Sequence, residues 1–100
     1  MPVLSSRQRR FLSGLAQSMD CLISLGRAGA TPELAARLDE LLGKHELVKL
    51  RFGDFKESRR ELAAALAERT GSELVRIVGF VALFWKANPD PDKRKISIDV

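Results

Sequence analysis

Residues 24–34 read SLGRAGATPEL, and the reading of Gly26-Arg27-Ala28-Gly29 within them decides the fold. Before the glycines lies Cys21-Leu22-Ile23-Ser24-Leu25, a short, mostly apolar run that reads as a buried strand. After them, Thr31-Pro32-Glu33 carries three helix-start signals: an N-cap hydroxyl, a proline at the first helical position and an acid near the positive end of the helix dipole. The segment thus joins a strand directly to a helix, the basic connection of an α/β chain. Glycine at both ends permits positive φ and close approach of the backbone to a ligand, and Arg27 adds a fixed charge at the tip. The first amides of a helix lack internal partners and suit an oxyanion. A plain turn would use glycine in the same way, so the role of the loop depends on its surroundings.

Upstream, Ser5 or Ser6 can cap a first helix in which Phe11, Leu12, Leu15 and Met19 recur at helical spacing, with Arg7, Arg9, Arg10, Ser13 and Gln17 on the other side. Downstream, the second helix is expected from Pro32 to about Leu42, burying Leu34, Leu38, Leu41 and Leu42 and closing at Gly43. Glu46 to Phe52 alternates: Val48, Leu50 and Phe52 share one face, and Lys49 and Arg51 share a wet, basic one. Asp54 is expected to cap a third helix, with Glu57 completing a capping box, Leu62, Ala63, Ala65 and Leu66 supplying its apolar surface, and Gly71 ending it. Residues 73–78 and 81–86 read as strands joined by a tight turn at Gly79-Phe80, and Ile96-Ser97-Ile98 as a short edge strand. The order α-β-α-β-α-β-β predicts an α/β fold, a small mixed four-stranded sheet packed with helices, in one domain over 1–100: a core of about 4–87 and a basic tail over 88–100.

Composition narrows the function. The 100 residues carry 17 Lys and Arg against 13 Asp and Glu, a net charge of +4, which favours a polyanionic partner. One cysteine, Cys21, permits no internal disulfide, and a reducing, cytoplasmic setting is expected. No apolar run approaches the roughly 20 residues of a membrane span, and no membrane association is expected. Acid-base or nucleophilic catalysis needs a base beside a nucleophile, but His45 is the single histidine and Cys21 sits in an apolar run, where thiols are inert packing groups. That pair cannot complete a usual zinc site either, and neither a P-loop nor a dinucleotide fingerprint occurs. A protein without catalysis, metal or cofactor is expected.

The basic residues form several candidate phosphate contacts beside the loop. Lys44, His45, Lys49 and Arg51 cluster around the second strand, and Arg7, Arg9 and Arg10 around the first helix. Lys93-Arg94-Lys95 reads either as a phosphate-binding arm or as a charged tail, and Phe84 and Trp85 face opposite ways, which assigns at least one to the core.

Taken together these pieces resemble the CRM domain (chloroplast RNA splicing and ribosome maturation), in particular its bacterial stand-alone YhbY-type members. The resemblance is carried by Leu4-Ser5-Ser6-Arg7-Gln8-Arg9-Arg10 with Leu15-Ala16, by Leu25-Gly26-Arg27-Ala28-Gly29, by His45-Glu46-Leu47-Val48-Lys49, by Thr70-Gly71 and Val78-Gly79, and by Lys93-Arg94-Lys95-Ile96-Ser97. It implies a fold similar to the C-terminal domain of translation initiation factor 3 with an added N-terminal helix. It also implies RNA binding through the GxxG loop and association with precursors of the large ribosomal subunit; ribosomal RNA is the expected partner and a monomer the expected state. An alternative from another class is an adaptor that binds an assembly factor or ribosomal protein through apolar surface near Phe80, Phe84 and Trp85, touching RNA little.

Overall fold

The Ser5 hydroxyl accepts the Gln8 amide at 3.1 Å, and the Gln8 side chain accepts the Ser5 amide at 2.9 Å. This reciprocal cap starts the first helix in the computed structural model, which describes residues 4–97. The elements are α1 (Ser6–Ala16), β1 (Cys21–Leu25), α2 (Pro32–His45), β2 (Leu47–Phe52), α3 (Arg59–Thr70), β3 (Glu73–Val78) and β4 (Val81–Trp85). Single 3-10 turns lie at Lys56–Ser58 and Pro91–Lys93. The expected α-β-α-β-α-β-β order is therefore the observed one.

The sheet order is β1-β2-β4-β3, with β1 parallel to β2 and the other neighbours antiparallel. Helices cover both faces. On one face α2 and α3 pack through Leu38, Leu41, Leu42, Ala63 and Leu66 onto Leu25, Val48, Leu50, Phe52 and Phe84. On the other, α1 brings Leu12 and Ala16 onto Leu47, Val75, Leu83 and Trp85. This second layer changes the reading of β2. Leu47, Lys49 and Arg51 share the face toward α1, where Leu47 is wholly buried, Lys49 is half-buried and Arg51 alone is exposed. The face expected to be wet is roofed for most of its length.

Other local expectations are corrected in the same way. Strand β1 sits at the edge of the sheet, so only Ile23 and Leu25 are buried while Cys21 and Leu22 are exposed. In α1 the buried positions are Leu12 and Ala16, and Phe11 and Leu15 remain 36% and 38% exposed. Helix α2 runs through Gly43 to His45, and the positive φ that ends it falls on Glu46 (φ 64°). Asp54 caps no helix: its carboxylate accepts the Phe55 amide at 2.8 Å, a 3-10 turn intervenes, and α3 begins at Arg59. Thr31 and Gly71 behave as expected, the first accepting the Leu34 amide and the second closing α3 at φ 65°.

The tail folds back along the molecule. Glu46, 1% exposed, directs its carboxylate at the amides of Asn88, Lys95 and Ile96 at 2.6–3.0 Å, and Ile96 packs against the α1 layer. Residues 94–97 form no strand; of the expected edge strand, Ile98 lies outside the described residues.

Candidate nucleic-acid interface

Because β1 and β2 are parallel, their carboxyl ends point the same way, and the antiparallel β3–β4 turn comes up beside them. In open α/β sheets ligands settle outside the carboxyl ends of the strands. Here that end collects the Gly26–Gly29 loop, the segment after β2 and the Gly79-Phe80 turn. Backbone bonds tie the three together: the Gly53 amide donates to Leu25 O at 3.0 Å, and the Phe52 amide to Phe80 O at 2.7 Å.

Within the loop, the Gly29 amide donates to Gly26 O and the Thr31 amide to Gly29 O, each at 3.0 Å. No backbone bond outside the helices and strands uses the amides of Arg27, Ala28 or Ala30. Arg27, within the same loop, is exposed, and its side chain has no partner among the described residues. Arg69 braces the other side, donating to Ala30 O at 3.1 Å. The two glycines are not equivalent. Gly29 needs its lack of a side chain, with φ 76°, whereas Gly26 has no unusual φ and open space where a Cβ would stand.

The remaining expected contacts divide by location. Arg51 joins the loop end, paired in register with Ser24 and Val81. Lys44 and His45 close α2 at the opposite end of β2, about 17 Å away at roughly 3.4 Å per strand residue. Lys93, Arg94 and Lys95 are pinned to that far end by Glu46, with Arg94 Nε on Asn88 O at 2.8 Å. Two of the basic residues already have partners within the fold. Lys49 Nζ donates to Ala16 O and Met19 O at 3.1 and 3.0 Å, closing the end of α1, and Arg9 Nη1 donates to Leu74 O and Val75 O at the irregularity in β3. Arg7 and Arg10 are exposed on α1, over the other face of the sheet. Phe84 and Trp85 are both core, at 0% and 4% exposure.

Sequence reasoning missed Phe55, Lys56 and Arg59, and it placed Phe80 only in a turn and in an apolar surface for a protein partner. Phe55 takes a left-handed backbone (φ 54°), and its ring lies 3.5 Å from where a Cβ on Gly29 would be. Lys56 Nζ and the Arg59 guanidinium stand 4.7 and 5.4 Å from the centre of the Phe80 ring. The signal was present in GDFKESRR, residues 53–60, where cations crowd an aromatic, but a capped helix was the simpler reading. Among the described residues no group of three or more His, Cys, Asp or Glu could hold a metal, and no helix is long and apolar enough to cross a membrane.

Fold and site together define a class: a small α/β module that presents a basic GxxG loop and a helix N-terminus at the carboxyl end of a parallel strand pair. The CRS1 / YhbY (CRM) domain model matches residues 4–86, and the chain belongs to that family. A protein of Haemophilus influenzae named "RNA-binding protein" is 28% identical over 91 residues, spanning 90% of this chain and 92% of its own. A "Probable RNA-binding protein" of Pseudomonas aeruginosa is 27% identical over 96 residues, spanning 95% and 92%. The solution structure of a hypothetical protein of Staphylococcus aureus superimposes with a TM-score of 0.76 at 27% identity, covering 95% of this chain and 100% of the other.

Proposed function

We propose that this protein is a non-catalytic RNA-binding protein that holds the RNA backbone at Gly26–Gly29 and assists assembly of the large ribosomal subunit by associating with its precursors. The observation that carries the reading is the set of uncommitted amides at Arg27, Ala28 and Ala30, crowned by the free Arg27 side chain at the carboxyl end of the sheet. Amides in this position bind phosphate oxygens without reading sequence, and Arg27, Arg51 and Lys56 continue the positive path. Names given to relatives from two bacteria support RNA as the ligand class. The family resemblance motivates the ribosomal assignment. The adaptor alternative loses most of its apolar surface, because Phe84 and Trp85 are buried and only Phe80, beside two cations, is exposed.

Gly26→Asp tests the loop cleanly. A Cβ there meets open space and the backbone has no positive φ, so the substitution adds a negative charge without the strain that Gly29 would impose. Affinity for a ribosomal RNA transcript is expected to drop about tenfold or more, since a buried or close like charge costs over 1.4 kcal/mol. Binding that ignores both this change and the salt concentration would refute the phosphate reading. Sucrose-gradient fractionation with RNA crosslinking tests the ribosomal assignment: the protein should travel with particles lighter than the mature large subunit and lose them after ribonuclease treatment.

A further inference from the structure

We infer that the loop end receives unpaired nucleotides and that Phe55 and Phe80 form its base-stacking platform, an inference that rests on the RNA-binding reading above. The two rings are 43% and 47% exposed, while Phe52 and Phe84 are wholly buried. Neither ring is exposed by accident of a loose chain. Phe55 is held at φ 54°, a backbone that disfavours residues with a Cβ, by the Asp54 carboxylate on its amide and by the Ser58 amide on its carbonyl, at 2.8 and 3.0 Å. This strained arrangement lays the aromatic ring against Gly29, beside the uncommitted amides. Phe80 is presented by the turn at Gly79 (φ 58°) and fixed through the Phe52 amide.

Two cations stand over the Phe80 ring. Lys56 follows Phe55 in the chain and carries its ammonium over Phe80, alongside Arg59. Arg59 Nη1 is taken by Lys56 O at 2.7 Å, but its Nε is buried with no acceptor among the described residues. The Asp54 carboxylate is engaged by backbone. An apolar protein surface would have to bury these cations beside the rings, whereas a nucleotide offers a flat base for a ring and a phosphate for the cations. Bases in a duplex are already stacked on one another, so a platform of this kind selects unpaired strands.

The test is fluorescence anisotropy with the full chain and a short labelled oligoribonucleotide, free or annealed to its complement. A 2-aminopurine in the free strand reports stacking by its quenching. Tighter binding of the unpaired strand is expected, with Phe55→Leu and Phe80→Leu each weakening it about five- to tenfold, relieving the quenching and leaving the salt dependence unchanged. Circular dichroism melts would verify that both variants fold. Equal affinity for free and paired strands, or leucine variants that bind and quench as the wild type does, would overturn the platform. If Gly26→Asp and Arg27→Ala still weaken binding in that case, the phosphate loop stands without it. Absence of binding to any oligoribonucleotide defeats both readings. A protein captured after ribonuclease digestion and lost in Phe80→Leu would assign the rings to a protein partner and also overturn the platform.

Discussion

Gly26 and Gly29 flank the same turn, yet different forces act on them. Alanine at Gly29 would occupy φ 76°, and the expected cost is about 1 kcal/mol of folding stability; alanine at Gly26 should fall within about 0.5 kcal/mol of the wild type. Urea unfolding distinguishes the two. If a ligand is what needs Gly26 bare, Gly26→Ala will weaken RNA binding in a protein of normal stability. Glu46 is the residue that periodicity misplaced. The alternation from Glu46 to Phe52 predicts the first residue of a strand, but Glu46 stands at the end of α2 with φ 64° and a carboxylate that gathers amides from Asn88, Lys95 and Ile96. No local pattern announces a bond spanning 49 or 50 residues. Removing the carboxylate leaves three partly buried amides without their charged acceptor. Glu46→Ala is therefore expected to lower stability by about 3 kcal/mol and to speed hydrogen exchange at the Lys95 and Ile96 amides, with Glu46→Gln intermediate.

Elements were legible where one residue's local chemistry sufficed. Thr31 caps α2 because hydroxyl, proline and acid stand in sequence, and Gly71 ends α3 because glycine alone tolerates that turn cheaply. Asp54 presented a similar spelling and failed, since its carboxylate went to the neighbouring Phe55 amide and α3 started later. The wet face of β2 failed for a tertiary reason: α1 lies over it, which alternation along one strand cannot reveal. Lys49 is the consequence of that layering. Its ammonium closes the carbonyl end of α1, where a cation also suits the helix dipole. Lys49→Met should cost about 1–2 kcal/mol in urea unfolding and loosen the last turn of α1, while leaving the salt slope of RNA binding unaltered. Arg27→Ala should do the opposite, reducing that slope by about 0.7 on single strands with little change in stability.

At the scale of the molecule, two groups of cations stand at opposite ends of β2. Arg27 and Arg51 stand at the carboxyl end with Lys56 and Arg59, and Lys44, His45 and the Lys93–Lys95 segment at the other. Sequence proximity had grouped Lys44 and His45 with Arg51, but a strand's length intervenes. For an oligonucleotide too short to reach across about 17 Å, exchanging Lys93, Arg94 and Lys95 for glutamine should leave affinity unchanged, whereas a long transcript should bind less tightly. The fold class itself was readable because each strand-helix alternation carries its own turn chemistry; the placing of the two groups was not, because it depends on sheet order. One feature of the edge strand bears on valency. Cys21 is exposed at the start of β1, the end remote from the loop. Air oxidation of two such thiols would join molecules back to back, loops outward, giving a bivalent particle that grips long RNA with an avidity the single protein lacks and that a reductant abolishes.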